Sequence, residues 1–172
     1  MWLAKAADHA ISAKAVLVGG AAVNLHTGSY RPTDVDLCAY LDQGDRASLK
    51  SLGFRHLQGD HFEYVFADGQ KWLLGFPDRQ VDGEVSEIRL DQEETLDVIS
   101  LESLVVDRMV QATDGTRITF DEAVRLCVAT FEKTDWSSVE QEISRREAKR
   151  SISGLRQTYE RVMIRTRTVL GV

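Results

Sequence analysis

The chain has 172 residues, 43% of them hydrophobic and 28% charged, with a formal net charge of −6, enough for one ordinary core with a helical appendage. The first ten residues, MWLAKAADHA, carry charge, and nowhere do about eighteen uncharged apolar residues follow one another, which argues against a signal peptide or membrane span and for a cytoplasmic protein. The two cysteines, Cys38 and Cys127, lack metal-ligand spacing and read as reduced core residues.

In chain order, Trp2, Leu3, Ala6, Ala10 and Ile11 fall at helical spacing, predicting a first helix that ends before an apolar strand at Ala15 to Val18. A short helix follows Gly20. Asp34 to Leu41 reads as a strand with Val35, Leu37, Ala39 and Leu41 on one face and Asp34, Asp36, Cys38 and Tyr40 on the other. Asp45 is placed to cap a helix that Gly53 ends. The runs His61 to Ala67 and Lys71 to Phe76 flank Asp68-Gly69, a dipeptide suited to tight hairpins, so they read as antiparallel strands.

Two more strands, Val85 to Leu90 and Thr95 to Ile99, lead into a helical second half. A Ser100 cap opens a helix carrying Leu101, Leu104, Val105, Arg108, Met109 and Ala112 at helical period. Thr119 to Glu122 reads as a capping box before a second helix, and Asp135 or Ser137 starts a third. After Gly154 a last helix carries Leu155, Tyr159, Val162, Met163 and Val169 as its apolar stripe. From Arg145 onward the chain has eight basic residues against Glu147 and Glu160. That basic tail follows an acidic body, and it suits a solvated helix face, docking on its own domain, or an acidic or nucleic-acid partner.

The stretch VLVGGAAVNLHTGSYRPTDVDL, Val16 to Leu37, carries the chemistry. A strand that turns through Gly19-Gly20 into a helix leaves backbone N–H groups at a helix N-terminus, with no side chains to keep a phosphate away. On the next strand Asp34 and Asp36 share a face, roughly 7 Å apart along the backbone, and two such carboxylates can converge on a divalent metal. Arg31, in the loop before them, can fork onto a phosphate oxygen. Asn24 and His26 lie one turn into the helix, where a lone histidine is more often structural.

Strand, Gly-Gly, helix, a loop with Arg31 and Thr33, then Asp-Val-Asp-Leu resembles the signature of the nucleotidyltransferase superfamily. The run is similar to minimal nucleotidyltransferases and to toxin nucleotidyltransferases of abortive-infection systems. LGF at Leu52 to Phe54, GFP at Gly75 to Pro77 and ISLESLVVDRM at Ile99 to Met109 resemble a poorly characterised bacterial nucleotidyltransferase-like family. The resemblance implies an α+β fold, a small mixed sheet backed by helices over residues 1–100 with a helical region over 101–172.

It also implies an activity: transfer of a nucleotidyl group from an NTP to a hydroxyl on a protein, RNA or small molecule. Gly19, Gly20, Arg31 and Thr33 would bind the nucleotide, and Asp34 and Asp36 would hold Mg2+. A third carboxylate is expected from a neighbouring strand, but KWLLGFP contains no acid and has Gly75 where the superfamily often has one. Glu63 on the partner strand is the best substitute, with Glu87 and Asp78 as alternatives. The other class of function is a weak or inactive nucleotidyltransferase-fold binding module, an antitoxin or regulator. A toxin–antitoxin partner and a homo-oligomer through the C-terminal helices fit either reading.

Overall fold

The computed structural model describes residues 1–28, 31–90, 94–149 and 152–172. The chain divides into two units, Met1–Ile99 and Ser100–Val172.

The first unit is built on a sheet of strands β1 (Val16–Val18), β2 (Asp34–Cys38), β3 (Arg55–His56), β4 (His61–Val65), β5 (Lys71–Gly75), β6 (Val85–Arg89) and β7 (Thr95–Ile99), with helices α1 (Trp2–Ala10), α2 (Gly19–Thr27) and α3 (Gln43–Ser51). Spatial order is β3-β4-β5-β2-β1-β7-β6. The sheet is mixed: β1 runs antiparallel to β2 and parallel to β7, and β2 runs parallel to β5. Period-two alternation sets its two faces. Leu17, Val35, Leu37, Phe62, Leu74, Leu96 and Val98 on one face are buried, together with Leu3, Ala4 and Ala7 of α1 and Leu49 of α3. Asp34, Asp36, Leu73 and Gly75 lie on the other.

The hairpin of β4 and β5 closes around Asp68-Gly69, with Gly69 at φ +84° and the Phe66 N–H donating to the Gln70 carbonyl at 2.8 Å. That loop sets the pairs His61 with Gly75, Glu63 with Leu73 and Val65 with Lys71. The two-residue strand β3, too short for a periodic signal, adds itself to β4 and pairs Arg55 with Glu63.

Two helix starts differ from the sequence expectation. Asp42, not Asp45, caps α3: the Asp42 carboxylate accepts from the Asp45 N–H at 2.8 Å, and the Asp45 carboxylate returns the bond to the Asp42 N–H at 3.0 Å. Asp45, 4% exposed, also accepts from the N–H and hydroxyl of Ser12 at 2.8 and 2.9 Å, tying α3 to the segment after α1. In the second unit the helix α5 (Arg117–Thr130) is capped by Thr116, whose hydroxyl accepts from the Thr119 N–H, so Thr119 is inside the first turn rather than at its cap.

The second unit consists of α4 (Leu101–Gln111), α5, α6 (Trp136–Ala148) and α7 (Leu155–Leu170), with a 3-10 turn at Ala112–Asp114. Ser100 caps α4 and Asp135 caps α6. Helix α7 packs on α4, α5 and α6. Leu155, Tyr159, Val162 and Met163 are buried there, whereas Val169, expected in the same stripe, is 53% exposed. The tail's apolar stripe is thus part of this unit's own core. Arg145 and Arg146 pair with Glu142, and Arg156 with Glu147. The Cys127 thiol, buried in the same core, is pushed up to about 12 by desolvation. No helix among the described residues is long and apolar enough to cross a membrane.

Candidate active site

The strand β1 ends at Val18, and the chain turns directly into α2 at Gly19, whose φ is +66°. A residue with a side chain adopts that left-handed conformation at a cost, and glycine does not. The residue at the cap position, Val18, offers no side-chain hydrogen bond and no acidic residue lies in the first turn, so the head of α2 presents backbone N–H groups with the positive end of the helix dipole behind them, a setting that favours an anion. At the other end Gly28, φ +67°, closes the helix by donating to the Asn24 carbonyl at 2.7 Å.

Cross-strand pairing brings Asp36 to the head of α2, because Val18 of β1 pairs with Asp36 of β2. The approach is close. A β-carbon placed on Gly19 would sit 2.5 Å from Asp36 Oδ2, well inside van der Waals contact. On the other flank of β2, Asp36 pairs with Gly75 of β5, and a β-carbon placed there would sit 2.7 Å from Asp36 Oδ1. The carboxylate therefore lies between two glycines, in space that any other residue at either position would fill. The same geometry bears on the missing acid. A side chain at residue 75 would require the Asp36 carboxylate to shift from the position it has here.

Asp34 is two residues earlier on the same face, opposite Leu73, and is partly exposed. Glu63 lies in that row on the far side of Leu73, two strands and roughly 10 Å of backbone from Asp34. Its carboxylate accepts from Arg55 Nη2 at 2.6 Å, with Lys71 Nζ at 3.9 Å. The hydrogen bond from Arg55 holds it below the usual carboxylate range. Glu87 lies on edge strand β6, three strands from β2. Asp78 follows Pro77 and accepts from the Arg79 N–H through Oδ1. Arg31 and Thr33 stand exposed just before Asp34, and Gly20 is buried in the first turn of α2.

Residue type alone did not single out His61. It pairs across β4 and β5 with Gly75, and its ring carbon Cδ2 and nitrogen Nε2 are 3.6 and 3.7 Å from the β-carbon position of Gly75, the point that Asp36 Oδ1 approaches from the other side. The signal was present in the hairpin register, since a loop centred on Asp68-Gly69 puts residues 61 and 75 opposite. Two other histidines are engaged: His26 Nε2 donates to the Ile99 carbonyl at 2.9 Å, and His56 Nε2 to that of Gly59 at 2.8 Å. His26 thereby holds α2 to the end of β7.

Among the described residues no three His, Cys, Asp or Glu side chains are grouped as a ready-made metal cage. What the fold offers is a pair of carboxylates on β2, one of them at the N-terminus of α2. That donor set fits a hard cation that takes its remaining oxygens from water and phosphate, and does not fit a cation needing a full set of protein ligands.

No protein-family model matches the chain, and no curated protein matches it in sequence. Among solved structures it is similar to an antigenic nucleotidyltransferase-like protein from Paracoccidioides brasiliensis, at a TM-score of 0.57 and 16% identity over 87% of this chain and 85% of that one. It is also similar to the antibiotic-resistance factor ANT(2'')-Ia, at a TM-score of 0.56 and 16% identity over 91% of this chain and 93% of the other. The chain has a nucleotidyltransferase-like α+β fold.

Proposed function

We propose that the protein transfers a nucleotidyl group from an NTP to a hydroxyl acceptor. The observation that supports this most directly is the Asp36 carboxylate between Gly19 and Gly75, on the same strand face as Asp34 and beside the start of α2. The N–H groups at Gly19 and Gly20 would receive the β and γ phosphates. Arg31 and Thr33, exposed before β2, would close over the nucleotide from the loop side. Asp34 and Asp36 would hold Mg2+, which in such a site screens phosphate charge and stabilises the departing pyrophosphate. The chain's own part is to seat the triphosphate along the α2 dipole and to leave the α phosphorus open to an acceptor oxygen approaching over β5 and β4. The acceptor itself would be a protein side chain, an RNA end or a small molecule.

Isothermal calorimetry with each NTP, with and without Mg2+, tests the site. Magnesium-dependent binding that disappears in the folded Asp34→Asn, Asp36→Asn protein is expected, and unchanged affinity in that variant removes the assignment. Transfer of label from an α-labelled NTP tests the chemistry. Glu63→Gln, which leaves the two aspartates in place, reports whether Glu63 takes part.

A further inference from the structure

We infer that His61 accepts the proton of the attacking hydroxyl, a role that rests on the nucleotidyl-transfer reading above. The argument begins with the two rows of side chains that cross β2, β5 and β4. In one row Leu73 stands between Asp34 and Glu63, and Glu63 is turned to Arg55 and Lys71. In the other row the intervening residue is Gly75, which has no side chain, so Asp36 and His61 lean toward one another across an open backbone. Nε2, the outer ring nitrogen, is on that edge at 3.7 Å from the shared point.

The His61 ring is exposed and has no hydrogen bond among the described residues. A neutral imidazole has one nitrogen lone pair to offer, whereas the Glu63 carboxylate is made less basic by its hydrogen bond from Arg55. Asp34 and Asp36, if they hold the cation, are occupied by it. His61 is then a group on this face, next to Asp36 across Gly75, able to take a proton.

In the step, the acceptor O–H bond breaks and its proton passes to His61 Nε2. The oxygen forms a bond to the α phosphorus, and the bond from that phosphorus to the α,β-bridging oxygen breaks. Pyrophosphate leaves with that electron pair, and His61 later returns its proton to water. Replacing a general base of this kind lowers turnover by roughly 10²- to 10⁴-fold while ground-state nucleotide affinity changes little.

Two measurements on the full chain test this. The first is position: with ring-labelled histidine, ATP·Mn2+ should broaden the His61 ring resonances and leave those of His9 sharp. The second is chemistry: with α-labelled ATP and glycerol or water as acceptor, His61→Ala and His61→Gln should both lose turnover and keep their ATP affinity. Added imidazole should restore part of the rate to His61→Ala, which has room for it, and none to His61→Gln. Turnover near wild type in both variants, or loss in His61→Ala that imidazole does not relieve, overturns the role of His61 while leaving nucleotidyl transfer standing. Absence of broadening together with absence of wild-type turnover overturns the transfer reading itself, and this inference with it.

Discussion

Gly19→Ala perturbs the closest approach in the site and can be costed in two parts. The backbone there has φ +66°, and an L-residue held in the left-handed region loses about 1 to 2 kcal/mol. The new methyl would stand 2.5 Å from Asp36 Oδ2 and 3.3 Å from Asp36 Cβ, and relieving overlap of that kind in packed surroundings costs about 1 to 3 kcal/mol. The substitution should therefore cost roughly 2 to 5 kcal/mol in all. A double-mutant cycle separates the parts. In an Asp36→Ala background the overlap with Oδ2 is gone while the backbone cost and the 3.3 Å approach to Cβ remain, so the two substitutions should couple by about 1 to 3 kcal/mol. Native-state hydrogen exchange in EDTA, read at amides of β1 and β2, reports stability of the first unit by itself. Additive effects of the two substitutions would refute the contact between Gly19 and Asp36.

Gly75→Asp brings a second carboxylate into the space of Asp36, and should destabilise by about 1 to 3 kcal/mol in EDTA. Added Mg2+ should recover part of that loss, because three carboxylates bind a cation more strongly than two. An equal loss with and without Mg2+ would mean that residue 75 does not face a cation. Asp45→Ala removes the reciprocal cap of α3 and the bonds from Ser12, at about 1 to 3 kcal/mol. Backbone hydrogen bonding from Asp42, then from Ser12, lowers the Asp45 carboxyl below its ordinary 3.8 in the folded state. The stability it adds is complete above that value and is lost as pH falls through the folded one. The gap between wild type and Asp45→Asn in urea titrations should accordingly narrow below about pH 3.8, and a constant gap would contradict it.

Much of the site was determined by neighbours along the chain. A strand followed by Gly19-Gly20 and an alanine-rich run reads as leaving β1 through a helix N-terminus. Alternation on β2 then puts Asp34 and Asp36 on one face whatever surrounds them, because both features depend on backbone geometry over a few residues. The same locality made the Asp68-Gly69 hairpin and the Ser100 and Asp135 caps legible. It failed at Asp42 and Thr116, where two cap-forming residues stand three apart and only the local fold selects between them. The surroundings of Asp36 and Glu63 are set by tertiary structure. Which side chain meets Asp36 depends on β5 lying parallel to β2 and on β4 returning beside β5, pairings between residues far apart in sequence. Glu63 is attractive by residue type, but a two-residue strand with no signal of its own supplies Arg55 to bind it, and Leu73 separates it from Asp34. His61, an ordinary strand residue when read linearly, reaches the site because the residue between it and Asp36 is a glycine, and a missing side chain acquires that meaning only once the strands are side by side.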